Sequence, residues 1–173
     1  MRIVAGRWKG RRISAPPGLQ VRPTLDRVRE AWMSILQLDI PAARVLDLYS
    51  GSGALGLEAL SRGAASVDFV ENSTRSLVAL KENVETLGAG DLVRVHRARA
   101  LQFVKPLARS SFDLTFADPP YAEGEAEKLA QAWINTPFSA ILSVEHASGA
   151  EMPAGGDTRR YGTASITIYR STE

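Results

Sequence analysis

Val45-Leu46-Asp47-Leu48-Tyr49-Ser50-Gly51-Ser52-Gly53-Ala54-Leu55-Gly56 is the stretch on which the reading of the fold turns. Its apolar start reads as a buried strand, Gly51 and Gly53 let the chain turn sharply, and Ala54 to Ser61 continues at helical spacing. Strand, glycine turn and helix form the opening unit of a parallel sheet. The alternation continues beyond it. Strands are expected at Arg44–Tyr49, Ser66–Glu71, Val93–Arg97, Phe112–Ala117 and Ala140–Glu145, with helices at Ala54–Ser61, Ser73–Leu87, Ala100–Leu107 and Gly124–Trp133 between them. The tail breaks the pattern: Arg159-Arg160-Tyr161-Gly162 and the run Thr163–Tyr169 leave no room for a crossover helix, so an antiparallel ending at a tight turn follows.

Upstream, residues 1–23 read as extended or hairpin structure punctuated by glycine and proline, and Leu25–Leu36 reads as an amphipathic helix with Thr24 at its N-cap. The chain of 173 residues is large enough for one well-filled core and small for two. The expected organisation is a basic arm, hairpin and helix over residues 1–40 and a compact α/β domain over 41–173. The absence of cysteine, of a signal-like leader and of any membrane-length apolar run makes the cytoplasm the expected location.

Net charge is only +2, yet residues 1–30 carry eight basic side chains against two acidic ones. A basic arm on a mildly acidic body suits a face that meets phosphates, and Arg7, Lys9, Arg11 and Arg12 are the expected contacts. A solvated tail would explain the charge equally well, but Trp8 within the basic run favours binding.

Two places carry chemistry. At the first, helix N–H groups beyond the glycine loop can meet a polar or anionic moiety, and Glu71, at the end of the second strand, can accept from the hydroxyls of a ribose. Such a loop serves a dinucleotide as readily as S-adenosylmethionine. At the second, Asp118-Pro119-Pro120-Tyr121 ends the fourth strand, where an open sheet of this kind collects ligands. The exocyclic amine of a nucleobase is a poor nucleophile because its lone pair is delocalised into the ring. The Asp118 carboxylate and the Pro119 carbonyl can grip its hydrogens and aim that lone pair at a methyl donor, Pro120 helps to keep both acceptors fixed, and Tyr121 can stack on the base. The plain alternative is a strand-ending turn with a surface tyrosine. A charged methyl donor and a neutral amine need no metal, so none is expected.

Taken together, Arg22-Pro23-Thr24-x-Asp26-Arg27-Val28-Arg29-Glu30, the run Asp47–Ala59 and Asp118-Pro119-Pro120-Tyr121 resemble the RsmD family of 16S ribosomal RNA guanine-N2 methyltransferases. The likeness runs along essentially the whole chain. It implies a Rossmann-like class I methyltransferase with a seven-stranded, mostly parallel sheet and an antiparallel last strand, using S-adenosylmethionine on a guanine N2 in 16S rRNA or the small ribosomal subunit. It further implies Asp47 near the methionine ammonium group, with Tyr49, Gly51, Ser52, Gly53, Glu71 and Asn72 around the cofactor. Arg22, Thr24, Asp26, Arg27 and Arg29 would lie at the active-site mouth, the basic ones and Thr24 on RNA. Where the family usually has an acid near the adenine, this chain reads Arg97-Ala98-Arg99-Ala100-Leu101. Adenine recognition at Arg99 and Ala100 is therefore expected to rest on backbone amides and packing.

Two other readings share these residues. A DNA adenine-N6 or cytosine-N4 methyltransferase would use the same clamp, though 173 residues leave little space for target recognition. A non-catalytic RNA-binding module would keep the fold alone. His96 and His146 are isolated from one another and from any acid at ligand spacing and read as strand-end residues, Glu145 either borders the pocket or ends its strand, and a monomer is expected.

Overall fold

The computed structural model describes residues 1–16 and 23–172, leaving aside the side chains of Pro23 and Thr24. Helix α1 (Pro23–Ile35) is followed by β1 (Arg44–Leu48), α2 (Ala54–Ser61), β2 (Ser66–Glu71), α3 (Thr74–Leu87), β3 (Val93–Arg97), α4 (Ala100–Val104), β4 (Phe112–Ala117), α5 (Glu125–Asn135), β5 (Ser139–Ala147), β6 (Asp157–Tyr161) and β7 (Ala164–Arg170). The strands form one sheet in the order β3-β2-β1-β4-β5-β7-β6. Strands β1 to β5 pair in parallel, while β7 runs antiparallel to both β5 and β6.

Period two along each strand sorts side chains to opposite faces. Val45, Val67, Phe69, Leu114 and Phe116 join one core with residues of α1, α2 and α3, whereas Leu46, Leu48, Val70, Ala117 and Val144 join a second with α4 and α5. Both faces are thus covered, as a parallel sheet requires. Among the described residues, no helix is long and apolar enough to cross a membrane.

Several boundaries move from the sequence reading for local reasons. Helix α1 begins at Pro23, whose fixed φ suits a first helical turn, so Thr24 stands inside the helix and not at its cap. Ser73 caps α3 by accepting from the Ser76 N–H, and α4 stops short of Pro106, whose ring cannot continue it. Strand β5 runs on to Ala147 because β7 pairs with it over its full length.

The basic segment is folded onto the body. Residues 1–13 form a hairpin-like loop in which the Ile3 N–H donates to Arg11 O and the Ile13 N–H to Met1 O. Ile3, Trp8 and Ile13 are buried in the core with α1 and α2. Trp8 is therefore an anchor for the arm, and the segment is not the solvated tail weighed as its alternative. The fully buried Glu58 carboxylate accepts from the N–H groups of Val4 at 2.9 Å and Ala5 at 3.1 Å, and pairs with Arg62. Ser61 accepts from the Trp8 N–H and donates to Ala5 O. Gly6, at φ +87°, passes so close to α2 that a Cβ would stand 1.8 Å from Ser61 O.

Replacing Glu58 by Ala leaves two arm N–H groups and Arg62 without their acceptor. The expected loss is about 3 kcal/mol of unfolding free energy in urea titrations, and a loss under about 1 kcal/mol would show that the arm is not held this way.

Candidate functional site

Parallel pairing aligns the carboxyl ends of β2, β1, β4 and β5. Leu48 lies level with Val70 and Ala117, and Ala117 with Val144, so Tyr49, Glu71, Asp118 and Glu145 occupy the next row. The sheet changes winding direction between β1 and β4, and the crevice above that point is where such folds bind ligands.

The glycine loop forms its floor. Gly53 adopts φ +87° as the residue before α2, and a Cβ there would strike Leu80 at 2.4 Å. Glu71 closes the loop from the neighbouring strand: one oxygen accepts from the Gly51 N–H at 2.8 Å and the other from Asn72 and Ser73. Asn83 on α3 donates to Ser52 O and to Ser14 O, and Ser14 donates back to it, so one amide ties the loop to the arm. Tyr49 holds a positive φ of 55°, costly for a side chain of its size, and its hydroxyl donates to Glu125 at 2.5 Å. Burial, then the Glu125 partner, pushes the Tyr49 phenol pKa up.

One cavity of about 400 Å³ is lined by Tyr49, Glu71, Asn72, Arg99, Ala100 and Pro120, among others. A second, of about 230 Å³, is lined by Tyr49, Gly51, Ser52 and Asp118 together with Met1 and Pro16 of the arm. Tyr49 is common to both, so they form one groove. Beneath it Asp47 is wholly buried; one oxygen accepts from the Gly56 N–H at 3.0 Å and the other finds no partner among the described residues. Burial, opposed by the Gly56 bond and reinforced by the charges of Asp118 and Glu71, pushes its pKa well up. An orphaned buried acceptor close to these cavities fits a cofactor that carries a cationic group.

Asp118 faces the groove. Its residue surface is open to solvent at the mouth, yet dense packing around the carboxyl, then the charge and hydrogen bond of Glu145, push its pKa up to about 8. Solvent at the mouth tempers this shift without reversing its direction. Tyr121, half exposed, donates to Glu145 at 3.1 Å; burial and then Glu145 push its own pKa up. Pro119 is buried beneath this loop.

The structure brings Tyr49, Gly51, Ser52, Glu71, Asn72, Arg99 and Ala100 to these two cavities with Asp118 and Pro120, whereas Asp47, Gly53, Pro119 and Tyr121 line neither. Arg7, Lys9, Arg11, Arg12 and Arg27 are exposed; Arg7 lies over the Trp8 ring at 5.1 Å and Arg11 donates to Thr86 O. Arg29 is buried, away from the exposed set. Arg22 and the Thr24 side chain lie outside the described residues. Sequence reasoning passed over Glu125, which follows Tyr121 by four residues at the start of α5, and Asn83, which carries no motif. His96 has no acid at ligand spacing in the sequence, but pairing of β2 with β3 brings its ring 2.7 Å from Asp68.

This sheet order, loop and crevice make the fold that of the Rossmann-like class I methyltransferases, and the structure of a 16S rRNA N2 G1207 methyltransferase of Thermus thermophilus, solved with AdoMet and guanosine, shares it at TM-score 0.63. That likeness, at 22% identity over 89% of this chain and 44% of the other, is one of fold. The chain belongs to the RsmD family: the family model described as conserved hypothetical protein 95 matches residues 1–170. It is 40% identical over 128 residues to the ribosomal RNA small subunit methyltransferase D of Escherichia coli K12, covering 74% of this chain. The match spans 64% of that relative's length. The solved E. coli protein yhhF superposes with TM-score 0.84 at 35% identity, covering 98% of this chain and 97% of that one.

A carboxyl whose folded pKa lies above its unfolded value binds its proton more tightly when folded, so its stabilising contribution, present in acid, is lost as pH rises from 3.8 towards about 8. Asp118→Asn is expected to be no more stable than wild type near pH 4 but to gain on it as pH approaches about 8. Urea titrations at both values check this, and a difference independent of pH would refute it.

Proposed function

We propose that this protein transfers the methyl group of S-adenosylmethionine to the exocyclic N2 of a guanine in small-subunit ribosomal RNA. The observation that carries the reading is the meeting of Asp118 with the glycine loop at one cavity, with Glu145 beside Asp118 in the adjoining recess. Support for the substrate comes from the name of the E. coli relative, a small-subunit ribosomal RNA methyltransferase.

Bound in the groove, S-adenosylmethionine supplies an electrophilic methyl carbon on a sulfonium. Glu71 accepts from the ribose, Asn72, Arg99 and Ala100 wall the adenine, Tyr49 and Ser52 flank the middle of the groove, and Asp47 answers the ammonium charge. Asp118 and the Pro119 carbonyl accept from the two amine hydrogens, which turns the nitrogen lone pair out of the ring and towards the donor. Tyr121, tethered to Glu145, covers the extruded base. The exposed Arg7, Lys9, Arg11, Arg12 and Arg27 meet phosphates, and the arm that carries the first four also forms part of the groove rim through Met1 and Pro16.

The test is transfer of label from S-adenosylmethionine to small ribosomal subunits, or their RNA, lacking the modification, with duplex DNA in parallel and the product nucleotide mapped by mass. Label on an N2-methylguanosine of the RNA is expected; label only on DNA, or none, rejects the reading. Asp118→Ala is expected to lower kcat by roughly 10²- to 10³-fold with cofactor affinity within about twofold of wild type, since the carboxylate acts on the amine. Near-normal turnover would dismiss the clamp. Reversing Lys9 and Arg12 to Glu is expected to weaken RNA binding and to flatten its salt slope by about one for each side chain, and an unaltered slope would remove the arm from the interface.

A further inference from the structure

Beside the groove lies a smaller recess of about 160 Å³, walled by Arg29, Trp32, Leu55, Asp118 and Glu145. Arg29 reaches it from α1 with only 8% of its surface exposed. One nitrogen, Nη2, donates to Arg2 O at 2.9 Å and stands 3.7 Å from Asp26. Its Nε and Nη1 find no partner among the described residues. Burying a guanidinium with unmet donors is costly, and such groups persist where a ligand completes them. The Trp32 N–H is already spent on Ser143 at 2.9 Å, so that residue offers the recess only its ring. The result is a narrow space with apolar walls, the carboxyls of Asp118, Glu145 and Asp26, the last beside Arg29, and one guanidinium, which suits a flat heterocycle with a polar edge.

These groups are complementary to one base. Guanine with its N2 at Asp118 presents N1–H next along the same edge and O6 beyond it, two donors and an acceptor for the carboxyls and the guanidinium that wall the recess. Adenine with its N6 in the same place turns a bare N1 towards Glu145 and has no carbonyl for Arg29. We propose that Arg29 and Glu145 read the guanine edge, Arg29 donating to O6 and Glu145 accepting from N1–H, so that this recess sets the base specificity. The proposal rests on the methyl-transfer reading above and deepens it.

The test uses target RNA carrying guanosine or 2-aminopurine ribonucleoside at the mapped position, because 2-aminopurine keeps the 2-amino group and lacks both O6 and N1–H. Wild type is expected to favour guanine in kcat/KM by at least about tenfold. In Arg29→Met that preference is expected to fall about tenfold, because only the guanine substrate loses a contact, while Arg29→Lys, which keeps a donor, retains part of it. Glu145→Gln, whose amide can donate to a bare N1, is expected to lower the preference independently of whether Arg29→Met folds. An equal loss on both substrates in Arg29→Met, or an unaltered preference in Glu145→Gln, overturns the proposal. Wild type that methylates neither RNA overturns the methyl-transfer reading instead, whatever Arg29 does.

Discussion

Like charges held together at one edge of a parallel sheet are the constraint on which this molecule is organised. Glu71, Asp118 and Glu145 share a register row, and Asp47 lies just beneath it. Side chains free to move would separate such acids, but here the backbone that carries them is locked into ladders covered by helices on both faces. Burial first, and the neighbouring carboxyls after it, raise the proton affinity of Asp47 and Asp118. Under the proposed function, a cationic cofactor would relieve Asp47 and an amine with two hydrogens would relieve Asp118, so such a site would be stabilised by what it binds. Perturbed carboxyls in a crevice are themselves a functional signal.

The arm shows how a basic segment becomes part of a folded body. Glu58 and Ser61 on α2 hold its backbone, and Trp8, Ile3 and Ile13 enter the core. Asn83 then bonds to Ser14 on the arm and to Ser52 in the glycine loop. Arm, loop and groove are thereby joined by one side chain, and a force on the arm reaches the crevice through a hydrogen bond rather than through a flexible tether. The same packing leaves Arg7, Lys9 and Arg12 exposed beside a rim that the arm itself supplies.

Much of this was legible in the residues. Continuous apolar runs mark buried parallel strands, and three of the expected strands, Ser66–Glu71, Val93–Arg97 and Phe112–Ala117, have the observed boundaries. The glycine loop after β1 and the Asp-Pro-Pro-Tyr run after β4 could be placed at the carboxyl edge because strand, turn and helix signals are local. Their spacing along the chain also implied the antiparallel end, since two residues between β6 and β7 permit only a hairpin.

What no local signal could carry was the pairing of distant groups. Glu58 lies more than fifty residues from the arm it holds, Asn83 nearly seventy from Ser14, and Arg29 on α1 shares a recess with Glu145 on β5 only because α1 packs across the sheet. Trp8 sat in a basic run and was buried nonetheless, because the fold folded that run against α2. His96 and Asp68 met through strand register, which sequence spacing does not encode. The sequence by itself determined the elements and the two chemical motifs, since backbone sterics and hydrophobic periodicity act over a few residues. Only the tertiary structure decided which acids crowd together, which cation is left with unmet donors among them and which aromatic is core, because those outcomes depend on packing between segments far apart in the chain.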